Sequence, residues 1–215
     1  IECIQDLGRF GLGLKSASLS QCRNFIVISK KFGRLHAMAY DLDIIEKTNS
    51  WDVQILDEQE ILQQPGIQEL DKYKSGTLVI WKKFDKIEGN AKDFEESFRD
   101  VVAEAKKHVE FVFHRFNNSV KIQFNHKQIE KRDPFLSESE KTQVGRKREI
   151  YVDDSIITVI PYSLPYANTL NSDQKKLLGN PKSIYDEQGF YIYRNQRLIY
   201  WGSWMHMGYK SELNK

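Results

Sequence analysis

The segment Asp6-Leu-Gly-Arg-Phe-Gly-Leu-Gly-Leu-Lys-Ser16 sets three glycines, Gly8, Gly11 and Gly13, directly ahead of a helical run predicted over Lys15–Gln21. Glycine admits positive φ and lets the backbone come close to a ligand. The helix that follows turns its unpaired N–H groups and its positive dipole end back on the loop. A loop and helix start of this kind is built to cradle an anion.

Two common glycine motifs do not fit. The P-loop needs Gly immediately before Lys, whereas Leu14 separates Gly13 from Lys15. The dinucleotide fingerprint would read Gly11, Gly13 and then Ser16 in place of the third glycine, and no confident strand with a downstream ribose-binding acid completes a βαβ unit.

Composition narrows the class further. The 215 residues are 40% hydrophobic and 29% charged, enough for one large core or two small ones. Lys and Arg exceed Asp and Glu by two, so net charge does not argue for nucleic acid. Cys3 and Cys22 make no disulfide framework, and the five histidines have no metal-ligand spacing, so a reducing compartment without a protein-built metal site is expected. No apolar run reaches the roughly 18 residues that span a bilayer, and no signal peptide is visible. The expectation is a cytoplasmic protein with no membrane partner.

Alternation of apolar residues predicts strands at Asn24–Lys31 and Arg34–Leu42 around a turn at residues 30–33, at Trp51–Leu56, and at Thr77–Phe84. Glu58–Gln64 reads as a short helix stopped by Pro65-Gly66. From Asn90, a plausible N-cap, to about Arg115, apolar residues recur at three and four, the pattern of a long amphipathic helix. Ser119–Phe124, Glu149–Pro161 and Phe190–Ile199 alternate like strands, with turns at Asp153-Asp154 and Asn195-Gln196. Ser137–Lys147 reads as a loop and Thr169–Leu178 as a helix ended by Gly179. The boundary between two domains falls near Asn117.

Leu7-Gly8-Arg9-Phe10-Gly11-Leu12-Gly13-Leu14-Lys15-Ser16 resembles the glycine-rich lid of the GHKL superfamily, the ATPases of gyrase B, ninety-kilodalton heat-shock chaperone, histidine kinase and MutL type. It is most similar to the form in MORC proteins and in bacterial MutL-like or chaperone-like ATP-binding proteins. Ser75-Gly76-Thr77-Leu-Val-Ile-Trp81 resembles the Gly-Thr strand that closes the adenine pocket there. Gly189-Phe-Tyr-Ile-Tyr-Arg-Asn-Gln-Arg-Leu-Ile199 is similar to a strand pair of the adjoining transducer domain. The resemblance implies an α/β protein. Residues 1–116 would be the C-terminal part of a Bergerat-type α/β sandwich, an open mixed sheet with helices on one face. Residues 117–215 would be a small α+β transducer domain resembling ribosomal small-subunit protein five, incomplete at its C-terminus.

The same resemblance implies ATP and Mg2+ as ligands, slow hydrolysis, and lid and dimer closure driven by ATP binding. The N–H groups of Gly11, Leu12, Gly13, Leu14 and Lys15 would surround the β- and γ-phosphates, with Gly8 in the loop, the Lys15 ammonium as a point charge and Ser16 as a hydroxyl contact. Phe10 either flanks the nucleotide or anchors the lid. Thr77 would bond to adenine or a neighbouring water. Lys210 and Lys215 are the candidates for a transducer lysine that reaches the γ-phosphate. The family's magnesium-binding and water-activating helix and its adenine-reading Asp loop lie upstream of the lid and have no counterpart here. A fragment with little or no turnover of its own is therefore expected, cut from a parent ATPase that works as a nucleotide-dependent homodimer on a client or on DNA.

A different class of reading remains open, a nucleotide-independent module binding DNA or protein. The basic cluster of Lys127, Lys141 and Arg146–Arg148 would serve the first of these. The aromatic band of Phe190, Tyr191, Tyr193, Tyr200, Trp201 and Trp204 departs from the RNA-stacking pattern around Gly189 and reads as sheet core with amphipathic edges.

Overall fold

A computed structural model describes residues 11–86, 94–116, 119–179 and 187–205. The described residues fall into two compact units, those of Gly8–Val102 and those of Ala103–Lys215, the division falling inside one helix.

The first unit is built on a four-stranded antiparallel sheet of order β3-β2-β1-β4, from β1 (Cys22–Lys31), β2 (Arg34–Asp41), β3 (Gln54–Leu56) and β4 (Gly76–Phe84). The register carries the apolar alternation from strand to strand. Ile26 lies between Ala39 and Ile80, and Ile28 between Ala37 and Leu78. These side chains share one face, where α3 (Glu58–Leu62) and α4 (Ile67–Asp71) cover them with Ile61 and Leu70. Gly76 starts β4 beneath Leu70, whose Cδ2 would lie 3.0 Å from an added Cβ. Lys30 threads past the core and donates to the Leu70 carbonyl (2.9 Å), a cation closing the C-terminal end of α4.

The opposite face carries Phe25 between Tyr40 and Trp81, then Val27 between Met38 and Val79, then Ser29 between His36 and Thr77. The helix α1 (Gly13–Leu19) is tied to this face. Two expectations are corrected here: the sheet is antiparallel among the described residues, not mixed, and helices serve both faces, not one.

Two short helices went unpredicted. Between β2 and β3 lies α2 (Leu42–Thr48), capped by the Asp41 carboxylate, which accepts from the Asp43 N–H at 3.0 Å, and ended by Asn49 in the left-handed region. The segment read as one helix to Gln64 ends at Leu62, and α4 follows it. Asp57 and Glu60 form a capping box on α3, with both bonds 2.8 Å.

The long amphipathic helix is present as α5 (Phe94–Val112), and the Asn90 cap lies outside the described residues. A single 3-10 turn, His114–Phe116, follows it. In the second unit the strands form four two-stranded antiparallel pairs. These are β5 (Gln123–Phe124) with β6 (Lys127–Gln128), β7 (Gln143–Val144) with β10 (Tyr162–Ser163), β8 (Arg148–Val152) with β9 (Ser155–Val159), and β11 (Phe190–Arg194) with β12 (Arg197–Ser203). Helix α6 (Ser172–Leu177) begins at a capping box of Asn171 and Gln174 and ends at Gly179, whose φ of +89° favours glycine. The buried side chains of the second unit include Val112, Ile129, Leu136, Leu170 and Leu198. Glu110 is 2% exposed among them, held by Arg132 (3.1 Å), Lys106 (3.5 Å) and the Glu130 N–H (3.0 Å).

Candidate functional site

Gly11 has a φ of +66°, and the chain then passes through Leu12 into α1. An added Cβ at Gly11 or Gly13 would meet nothing within 4 Å, so backbone conformation at Gly11, not crowding, is what calls for glycine. No side chain caps α1, and its first turn holds no acidic residue. Gly11 through Ser16 are exposed, and the first intrahelical bond runs from the Ser16 N–H to the Leu12 carbonyl (2.9 Å). The amides ahead of Ser16 are thus free of side-chain caps, beside a lysine and a serine.

What fixes α1 is one buried residue. Ser18 is fully buried; its hydroxyl accepts from the Trp81 indole N–H at 2.9 Å, and its carbonyl accepts from the Cys22 thiol at 3.2 Å. Burial is the main reason that the Cys22 thiol is pushed up from its ordinary pKa. Lys15 Nζ lies 5.5 Å from the centre of the Tyr40 ring, which stacks on Phe25 at the same spacing. Phe84 extends the aromatic wall, packing edge-on to Trp81 and against Phe94 and Phe98.

Thr77 shares the face that carries Trp81, four residues along β4, or about 13 Å at the rise of a strand. Between them the sheet is uncovered and apolar: Val79 is exposed, with Met38 and Ile55 56% and 78% accessible. The face is therefore a hydrophobic lane, with α1 and the Lys15 ammonium at one end and the exposed Thr77 hydroxyl at the other. Gly11, Leu12, Gly13, Leu14, Lys15 and Ser16 come together in one turn, and Thr77 stands apart from them. Gly8, Phe10, Lys210 and Lys215 lie outside the described residues.

Sequence reasoning missed Ser18, Tyr40 and Trp81. The parity of Thr77, Val79 and Trp81 was a usable signal for the last.

At the α1 end of the sheet lies an ionic network. Lys83 bonds to Asp41 (2.9 Å) and Asp43 (2.6 Å), and Arg23 to Asp43 and Glu46 (both 2.8 Å). Burial raises the Asp41 carboxyl, but Lys83, the Asp43 amide and Asn24 together outweigh it and hold the group below the usual range. Hydrogen bonds from Lys83 and Arg23 lower Asp43 likewise. Every carboxylate oxygen accounted for here faces a cation or an N–H group, so the network orders α2 and β4. Among the described residues no group of three His, Cys, Asp or Glu side chains is placed to hold a metal.

In the second unit the aromatic band packs inward. Tyr191 meets Phe111 and Phe135, and Tyr193 meets His114, whose Nε2 lies 2.8 Å from the Tyr193 hydroxyl. Arg115 lies 3.6 Å over the Tyr193 ring. Burial pushes both tyrosine hydroxyls up, and burial with the neighbouring Arg115 charge lowers His114 to about 4. The rings of Tyr191 and Tyr193 are not offered to solvent as stacking platforms. Lys127, Lys141 and Arg146–Arg148 are exposed, and Lys147 pairs with Glu149 at 2.9 Å. No described helix is long and apolar enough to cross a membrane.

Residues 3–77 match the family described as histidine kinase-, DNA gyrase B-, and HSP90-like ATPase. Curated proteins and solved structures yielded no significant match.

Proposed function

We propose that residues 3–77, which match the histidine kinase-, DNA gyrase B-, and HSP90-like ATPase family, make this an ATP-binding chain of the GHKL superfamily, and that the hydrophobic lane from α1 to Thr77 is its nucleotide floor. The observation that carries the proposal is the pairing of an uncapped helix start, flanked by Gly11 and Lys15, with a hydroxyl on the same sheet face about 13 Å from the Trp81 anchor. A triphosphate at α1 meets N–H donors and an ammonium with no carboxylate in the first turn. An adenine toward Thr77 lies over apolar side chains and finds a hydroxyl that donates or accepts.

In this reading Gly8, Phe10, Gly11, Leu12, Gly13, Leu14, Lys15 and Ser16 form a lid over the phosphates and Thr77 belongs to the base pocket. Residues 1–116 act in the ATP-binding domain and 117–215 as a transducer domain. Mg2+ arriving with ATP would supply charge neutralisation at the phosphates, beside the Lys15 ammonium, and slow hydrolysis would follow lid and dimer closure. The chain's own contribution is to position the phosphates and stabilise their charge. The protein is read as a cytoplasmic ATPase similar to the MORC-like and MutL-like members.

Calorimetric titration of ATP and Mg2+ into the protein that carries this chain tests the reading. Lys15→Ala removes a charge-assisted contact and is expected to weaken ATP binding by roughly 10-fold to 100-fold. Gly11→Val, strained at a φ of +66°, is expected to weaken it at least as much. ATP affinity unchanged in both variants refutes the assignment.

A further inference from the structure

The second unit contains a cleft of about 270 Å³ that the nucleotide reading does not use. Val112 of α5 and Leu198 of β12, 3% and 1% exposed, lie at its base. The His108 and Trp201 rings form a wall, 5.9 Å apart, and Phe111 holds the indole edge-on from a centroid distance of 5.3 Å. Arg194 and Arg197 complete the lining.

Those two arginines occupy directly opposed positions in the β11–β12 register, closing on a turn at Asn195 and Gln196 with φ of +47° and +66°. Like charges set opposite one another across a strand pair destabilise it. No ion pair joins either guanidinium to a carboxylate among the described residues. Arg197 is instead steadied by the Phe113 ring, 5.5 Å from its guanidinium carbon. The result is a pair of forked, fixed-charge donors, both solvent-exposed, beside a cleft with an apolar base and an indole wall.

We propose that this cleft binds a phosphomonoester carried on a small ring. Two guanidiniums match the charge of a phosphomonoester, about −1.5 to −2 at neutral pH, better than the single charge of a carboxylate. The flat wall of Trp201 and the apolar base suit a ring bonded to the phosphate. The volume lies just under the roughly 300 Å³ at which pockets for drug-sized ligands begin, so a phosphate with one ring fits it better than a whole nucleoside triphosphate. The cleft is built from the second unit's residues alone and does not rest on the nucleotide reading.

Isothermal titration calorimetry with phenyl phosphate tests the site. Arg194→Gln and Arg197→Gln, both exposed positions that leave the circular dichroism unchanged, are each expected to weaken binding roughly tenfold or more. Lys15→Ala is expected to leave phenyl phosphate binding unchanged, which separates this site from the nucleotide reading. Inorganic phosphate and benzoate are expected to bind more weakly than phenyl phosphate. A capped phosphotyrosine peptide that binds more tightly than phenyl phosphate assigns the ligand to the side chain of a partner protein; equal or weaker binding assigns it to a free small molecule. Phenyl phosphate affinity unaffected by both arginine substitutions, or benzoate binding as tightly as phenyl phosphate, overturns the proposal.

Discussion

Lowering the pH from 7 to 5 should destabilise the second unit through His114. Burial, assisted by the adjacent Arg115 charge and opposed by Asp133, lowers its pKa from 6.5 to about 4. In the folded protein the ring therefore stays neutral at pH 5, beside the Tyr193 hydroxyl, while in the unfolded chain it is largely protonated. The sign follows from linkage. Between pH 6.5 and 4 the unfolded state binds a proton that the folded state refuses, so stability falls as pH drops through that window and levels off below it. At full shift the loss between pH 7 and 5 is about 2 kcal/mol; His114 keeps partial solvent access, and roughly 1 kcal/mol is the expected size. Hydrogen exchange of the β11–β12 amides at the two pH values measures it. His114→Gln, which keeps a polar group toward Tyr193 but does not titrate, should remove about that much of the pH dependence, and the His114 ring signal should titrate near pH 4. A midpoint near 6.5, or an unchanged pH dependence in the glutamine variant, refutes the reasoning.

Glu110→Ala leaves Arg132, with a side chain 12% exposed, without its carboxylate; the expected loss is about 3–5 kcal/mol in urea unfolding, and Glu110→Gln should lose less because it still accepts from the Glu130 N–H. Gly189→Ala should destabilise β11–β12 by roughly 2–3 kcal/mol, since φ there is +143° and the new Cβ would collide with the Ser203 backbone; weakened exchange protection in that pair is the readout. Asp57→Ala removes the α3 capping box at a cost of about 1 kcal/mol, visible as a lower melting temperature, and Asp57→Ser should restore most of it.

Strand alternation made the first unit readable. Ile26 and Ile28, Ala37 and Ala39, and Leu78 and Ile80 keep the same parity in the sequence and meet in the same core. The same rule put Thr77 and Trp81 on one face. It fails at Lys83, whose φ of +56° breaks the alternation and brings Phe84 against Trp81 instead of under the helices. Helices α2 and α4 went unread because seven- and five-residue helices carry too little periodicity; their stability comes from the Asp41 cap and from packing of Leu70. The β7–β10 pair was hidden for another reason. Its strands of two residues each are joined by Gly145 donating to the Pro161 carbonyl across a gap that no local pattern spans.

The candidate site divides along the same line. The glycines, Lys15 and Ser16 announce themselves locally, because φ, charge and helix polarity are properties of neighbours in sequence. The anchor that gives them a direction is not local: Ser18 and Trp81 are 63 residues apart, and only the fold reveals that the indole N–H finds that hydroxyl. Glu110 shows the opposite error that periodicity invites. Its charge belongs by pattern on the wet side of an amphipathic helix, yet Arg132 and the Glu130 amide, about twenty residues on, make burial tolerable by completing its hydrogen bonds. A charged residue is exposed by default only until a distant partner removes the reason for exposure. Arg194 and Arg197 are exposed and need no such partner to be tolerated; what sets them apart is that the register places two like charges opposite one another beside a cleft.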